Sequence, residues 1–284
     1  MPGRSGQDAR APFPPESSVY NTMIREVREA IEFPMTDSSI AKIARRQLAD
    51  YDAHRPGRIF MDAAFTLTIA EAFEVQRQVA ALRVARGEAV AGYKIGCISE
   101  AVQRQLGLEQ PAFGHLFATE LYRSGSVLDP AAFDGLAIEG EFALRIAGDL
   151  SVASVFPVIE LHNNIFRAAV PTSQELIANN ALHAGAVLPS REIACPDPTE
   201  LNGEMISVFR NGELLGSAKG GAIPGGPIAS LAKVAEHLAS VGVALKPDQI
   251  VLTGSPLPLY TVRPGDHIMV RGPQSIAVEV FVRG

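Results

Sequence analysis

Apolar residues recur at helical spacing near the start of the chain. Ile40, Ile43 and Leu48 predict a helix from Ser39 to about His54. A second begins at Thr68, where Thr-Ile-Ala-Glu matches a capping box, the Thr68 hydroxyl and Glu71 carboxylate each covering a backbone amide of the other. It continues through Phe73, Val79, Leu82 and Val84 to Gly87. Beyond that the texture changes to short strands with frequent turns. Residues 92–97 read as a strand and 99–107 as a short helix capped by Ser99. Residues 136–148 and 155–162 are two further strands, and Asn211-Gly212 predicts a hairpin with a type I′ turn, since both residues tolerate positive φ. One more helix fits 226–242, with Ile228, Leu231, Ala235, Leu238 and Val241 on one face. The last forty residues alternate strands with Pro/Gly turns. No internal repeat and no βαβ alternation appears, so the expected class is α+β: a helical N-terminal region over 35–90 and a β-rich body over 91–284.

Composition narrows this picture. The 284 residues are 47% apolar and 20% charged, enough for a sizeable core. The net charge is −6 with both signs well mixed, which excludes a clustered basic nucleic-acid surface. No apolar run reaches membrane-spanning length and no signal peptide is evident, so a cytoplasmic location is expected. Cys97 and Cys195 alone make neither a disulfide framework nor a thiolate zinc site. Residues 1–34, rich in Pro, Gly, Ser and Arg at the outset, are expected to be disordered, with Met35 a candidate native start.

The segment Leu136 to Ile146 carries the chemistry. Side chains alternate across a strand, so Leu136, Ile138, Phe142, Leu144 and Ile146 share one face. Ala137, Glu139, Glu141, Ala143 and Arg145 share the other. The two glutamates are then roughly 6–7 Å apart, flanked by small alanines. Alone, the pattern better suits a solvent-facing strand with two ordinary glutamates. Glu160 changes that: it lies in Val-Phe-Pro-Val-Ile-Glu-Leu-His, apolar enough for an interior strand, where an unpaired carboxylate is costly. A buried Glu needs a Lys, an Arg or a metal. Three carboxylates suit a hard ion, Mg2+ or Mn2+, leaving positions that a chelating 2-oxo acid can fill.

An ordered set of segments then resembles a known family. Gly-Tyr-Lys-Ile-Gly (92–96), Gln-Pro-Ala-Phe-Gly-His-Leu-Phe-Ala (110–118), Ile-Glu-Gly-Glu-Phe-Ala-Leu (138–144) and Val-Ile-Glu-Leu (158–161) come first. Asn-Asn-Ala (179–181), Ile-Val-Leu-Thr-Gly-Ser (250–255) and Val-Arg-Pro-Gly-Asp (262–266) follow. Together they resemble the hydratase/decarboxylase branch of the fumarylacetoacetate hydrolase superfamily, from about Ser39 to the C-terminus. The resemblance implies a helical cap on a mixed β-roll or β-sandwich core with a Mg2+ or Mn2+ site on Glu139, Glu141 and Glu160. It places Lys94 in acid–base chemistry or substrate binding. It also implies a homo-oligomer, with a pathway partner enzyme in decarboxylase members, and a role in aromatic meta-cleavage catabolism.

The expected reaction is hydration of a 2-hydroxy-2,4-dienoate to a 4-hydroxy-2-oxo acid. Decarboxylation of a 2-oxo-enedioate is the alternative, and a non-catalytic metal-binding relative is a third reading. Acylpyruvate hydrolysis is disfavoured because those relatives supply an Asp as the third ligand. Departures from the family pattern occur at Thr119, Asn179, Leu182 and His162-Asn163-Asn164. His162 shares a strand face with Glu160 and is a candidate to line the substrate pocket. Three other patterns carry less. Ser230-Leu231-Ala232-Lys233 matches a nucleophile motif without its companions and lies on a helix. The Gly-rich stretch 216–227 fits no phosphate loop and is expected to be a flexible loop near the pocket mouth. His54, His115, His183, His237 and His267 show no zinc spacing.

Overall fold

A computed structural model describes residues 39–62, 66–167, 172–194 and 197–284. The expectations for residues 1–34 and for Cys195 lie outside these. The first predicted helix is α1, Ser39–Asp52, and the second is α2, Ile69–Ala85. At α2 the predicted box is complete: Thr68 accepts from the Glu71 amide and the Glu71 side chain accepts from the Thr68 amide. The strand β1, Val90–Gly96, leads through Ser99 into α3, Glu100–Leu106.

The remaining strands build two sheets. The larger contains β1, β2 (Ala112–Phe117), β3 (Leu121–Arg123), β5 (Leu136–Ile146), β6 (Val152–Asn163), β7 (His183–Leu188) and β11 (Ile250–Leu252). Their order is β2-β1-β11-β5-β6-β7-β3, with β12 (Tyr260–Thr261) on β5 and β8 (Ile193–Ala194) on β6. The smaller sheet has the order β10-β9-β13-β14-β4, from Glu213–Lys219, Met205–Arg210, His267–Arg271, Ala277–Val282 and Ser126–Leu128. β9 and β10 form the predicted hairpin, with Asn211 at φ 53° and Gly212 at φ 84°.

The larger sheet curls. Leu116, Leu121, Ala143, Phe156, Val158, Ala186, Ile250 and Leu252, drawn from strands across its width, pack in one cluster inside the curl. Its outer face is divided. Along β5 to β7, Ile138, Phe142, Leu144, Ile159 and Val187 pack against Ile206, Val208, Ile268, Val270, Val278 and Val280 of the smaller sheet. Along β1, β2 and β11, Tyr93, Ile95, Phe113 and Val251 pack under Val234 and Leu238 of α5, Gly226–Ser240. A third cluster joins Ala72 and Val75 of α2 to Leu176, Ile177 and Ala178 of α4, Ser173–Ala178.

Gly140 lets the two sheets approach, because a Cβ there would meet Val208 Cγ2 at 2.6 Å and Val270 Cγ2 at 3.2 Å. Pro157 occupies the middle of β6, a costly place for a residue with no N–H. It falls between the stretches where β7 (from Ile159) and β8 (to Val155) pair with the other edge of β6.

Two expectations are corrected. On α5, Ile228, Leu231 and Leu238 pack on the core as expected, together with Gly226, Pro227, Ser230 and Val234, whereas Ala235 is exposed and Val241, also exposed, lies just past the helix end. The Gly-rich stretch is mostly ordered structure: 216–219 lie in β10 and 226 opens α5. A Cβ at Gly220 would run into the Leu201 carbonyl and come within 3.4 Å of the ring of Phe142, which faces away from the glutamates of β5. Small residues serve close packing there, not a pocket mouth.

Candidate metal centre

Alternation puts the three predicted glutamates inside the curl. On β5, Ala143 lies in the inner cluster, so Glu139 and Glu141, four and two residues before it, point the same way. β6 runs antiparallel beside it in a register that sets Glu139 opposite Glu160, Ala137 opposite His162 and Glu141 opposite Val158. On β1, Lys94 lies between Tyr93 and Ile95, both packed outward under α5, so its side chain enters the curl. The five predicted site residues therefore converge. Lys94, Glu141, Glu160 and His162 are buried and Glu139 keeps partial exposure.

Each buried carboxylate has one anchored oxygen and one without a partner. Glu160 Oε1 meets Lys94 Nζ at 3.2 Å and His183 Nδ1 at 2.7 Å, while Oε2 has no hydrogen bond. Glu141 Oε2 accepts from the Gly254 amide at 2.8 Å, and its Oε1 is unpartnered. Gly254 is required at that turn: its φ is 85°, and a Cβ would meet Ile98 Cδ1 at 2.9 Å. His162 Nε2 stands 3.3 Å from Glu139 Oε2 and 3.4 Å from Glu160 Oε2, without a well-aligned hydrogen bond to either.

Electrostatics follow from this crowding. Burial would raise Glu160, but Lys94, His162 and His183 outweigh it and hold its carboxyl well below the usual range. Burial, then the charges of Glu160 and Glu139, push Glu141 well above it. Burial would also lower Lys94, yet Glu160, Glu141 and Glu139 raise it, so it remains an ammonium. Burial opposes a charged His162 ring, and the facing Glu160 and Glu139 still bring it up to about 9. Left to side chains alone, the cluster must be neutralised by protons. Buried, unpartnered acceptor oxygens converging on one point are the donor set a hard divalent cation satisfies. Among the described residues, one group brings metal-competent atoms within 4.8 Å of one another: Glu139, Glu160 and His162. Glu141 adjoins this group without belonging to it.

Lys94 owes its position to a turn at residues 180–182; the Asn-Asn-Ala of 179–181 carries part of the family resemblance without revealing its backbone conformation. Asn180, Ala181 and Leu182 have φ of 58°, 50° and 63°, three successive residues in the left-handed region. That conformation costs about 1–2 kcal/mol per residue. The turn aims the Ala181 carbonyl at Lys94 Nζ, 3.1 Å away. Asn180 secures it by accepting from the His115 amide at 2.8 Å and donating to the His115 carbonyl at 2.9 Å. His183, which the sequence marks only by its lack of zinc spacing, touches Glu160 once β7 pairs with β6.

Of the sequence departures, His162 is the one that reaches the carboxylates. The Thr119 hydroxyl donates to Glu88 at 2.9 Å. Asn179 bonds Gln47 and the Glu175 carbonyl, and Leu182 joins the helical cluster. A cavity of about 390 Å³ lies apart from the carboxylates, lined by residues that include Tyr51, Arg83, Arg86, Glu88, Thr119 and Glu120. None of the five predicted site residues lines it.

The fold recurs in known proteins. No family model matches the chain. The 2-keto-4-pentenoate hydratase of Burkholderia vietnamiensis is 31% identical over 242 residues, covering 80% of this chain and 91% of that protein. The 2-hydroxyhexa-2,4-dienoate hydratase of Comamonas testosteroni is 28% identical over 253 residues, covering 82% and 94%. Among solved structures, 4-oxalocrotonate decarboxylase from Pseudomonas putida G7, complexed with magnesium and adipate, superposes with a TM-score of 0.79 at 23% identity. That match covers 87% of this chain and 98% of the decarboxylase. The chain belongs to the hydratase/decarboxylase branch of the fumarylacetoacetate hydrolase superfamily.

Proposed function

We propose that the protein is a metal-dependent lyase that hydrates a 2-hydroxy-2,4-dienoate, such as 2-hydroxypenta-2,4-dienoate, to a 4-hydroxy-2-oxo acid. The observation that carries this reading is the convergence of Glu139, Glu141 and Glu160, the latter two each with a buried unpartnered oxygen, beside a buried ammonium. It is supported by membership of a branch whose matched members include named hydratases. Mg2+ or Mn2+ is the proposed ion, held by the three glutamates. Bound there, it supplies Lewis-acid stabilisation of the negative charge that develops on the substrate's 2-oxygen.

The side chains supply the rest. Lys94 is held charged by Glu160 and the Ala181 carbonyl, so it acts as a proton donor or carboxylate partner before it can act as a base. The chemistry requires a proton at C5 of the dienol to give the 2-oxo-3-enoate, water addition at C4 and a proton at C3. Burial and the charges of Glu160 and Glu139 raise Glu141 when no cation is present, and a bound ion would take its carboxylate in place of the proton. His162 closes the Glu139 side and is placed to contact substrate. The active form is proposed to be a homo-oligomer in the cytoplasm, working beside the enzyme that forms its substrate.

Decarboxylation of a 2-oxo-enedioate is the second reading, favoured by the structural likeness to 4-oxalocrotonate decarboxylase. Presenting 2-hydroxypenta-2,4-dienoate and 2-oxohex-3-enedioate separately, with product identification, decides between them. Hydratase action gives 4-hydroxy-2-oxopentanoate from the first acid and no CO2 from the second. CO2 release from the second, with no change in the first, assigns the decarboxylase. Metal binding with turnover of neither would leave a binding protein and sink both.

A further inference from the structure

The sequence places a histidine two residues beyond Glu160, on the same face of β6 and diagonal to Glu139 across the ladder. Its Nε2 is buried, lacks a hydrogen bond, and lies 3.3 and 3.4 Å from one oxygen of each of these two glutamates. For donors about 2.1–2.2 Å from a shared octahedral ion, neighbouring donors are separated by roughly 3 Å. These spacings are close to that figure and longer than a good charge-assisted hydrogen bond. Glu160 uses its other oxygen for Lys94 and His183, so Oε2 alone is left to face His162. That anchoring is how outer partners orient a metal-ligating carboxylate. Glu141 is anchored differently, through Gly254, and its atoms do not join the closest group.

We propose that His162 is itself a ligand of the divalent ion, making a mixed site of Glu139, Glu160 and the imidazole, with Glu141 the more distant donor. This rests on the metal-dependent reading above and deepens it. An imidazole in place of an all-oxygen set favours a first-row transition ion, such as Mn2+ or Fe2+, over Mg2+, which takes oxygen ligands and tolerates nitrogen poorly.

The test uses the full chain, stripped with a chelator and reloaded with Mn2+ or Mg2+. Pulsed electron paramagnetic resonance of the Mn2+ protein should show a directly bound nitrogen. Labelling every histidine with 15N should change that signal, a readout that depends on no variant folding. His162→Gln should abolish the signal and weaken Mn2+ at least about tenfold in Kd, with a smaller effect on Mg2+. Calorimetric titration of both ions reads the ratio. Mn2+ binding without a nitrogen signal overturns the proposal and leaves the metal-dependent reading intact. So does a signal that survives His162→Gln and disappears in His183→Gln. Failure of the wild-type chain to bind either ion overturns the metal reading as well.

Discussion

Lys94 and Glu160 form an ion pair 3.2 Å long in which both side chains are almost wholly withdrawn from water. A buried pair of this kind is weak evidence for stability, because desolvation of two charges offsets their attraction. Its presence on a strand otherwise packed with Tyr93 and Ile95 argues for chemistry.

Replacement of Lys94 by Gln should lower kcat by about 100-fold or more, the usual worth of a positioned proton-transfer group. The same change removes a cation competing for Glu160, so affinity for a divalent ion should hold or rise. Steady-state kinetics and calorimetry on one preparation separate the two effects. Loss of metal affinity with unchanged kcat would contradict the assignment.

Asn180 should be sensitive out of proportion to its size. Asn180→Ala removes both bonds to the His115 backbone and puts Ala in the left-handed region, a combined cost of about 2–4 kcal/mol. Since the turn carries the carbonyl that holds Lys94, turnover should fall further than binding of the metal. Thermal melts and kcat measured together check this.

Gly140 separates the two glutamates of β5 and faces the smaller sheet. Gly140→Ala should destabilise the protein by about 1–3 kcal/mol through overpacking against Val208 and Val270. Denaturant unfolding reads the loss, and an unchanged midpoint would show that the sheets can part without cost.

Acid should erode stability through His115. Burial lowers its pKa to about 4, with His237 and Arg83 adding to the effect and Asn180 opposing it. In the unfolded chain the ring titrates near 6.5. Above that value both states are neutral and the full stability is present; as pH falls from 6.5 toward 4, the unfolded chain takes a proton that the folded one refuses. Nδ1 is buried without a partner, yet the residue as a whole is only part-buried, which trims the loss to about 1–2 kcal/mol. His115→Gln should flatten unfolding free energy over that window.

Strand alternation made much of the centre legible. Period-2 patterning alone separates Glu139 and Glu141 from Ile138 and Phe142, and an apolar run around Glu160 marks it as buried. The capping box at Thr68 and the Asn211-Gly212 turn are local features whose chemistry is complete within four residues, and both stand as expected. Pairing register is not local. His183 reaches Glu160 only because β7 joins β6, and the Ala181 carbonyl reaches Lys94 only through a left-handed turn anchored on β2. On α5 the apolar stripe marks Ile228, Leu231 and Leu238 correctly, while the small residues Gly226, Pro227 and Ser230, which carry no apolar signal, share the buried side and Ala235 and Val241 face outward. α4, six residues long, offers too little chain for a periodic signal.

The central claim is that the glutamates hold a cation required for turnover of a short 2-hydroxy-dienoate. Its most direct test follows consumption of 2-hydroxypenta-2,4-dienoate by chelator-stripped protein, before and after adding Mg2+ or Mn2+, beside Glu160→Gln. The account predicts no turnover without metal, restoration on addition, and loss of both metal binding and activity in the variant. Turnover by the stripped protein, or an active Glu160→Gln, would contradict it.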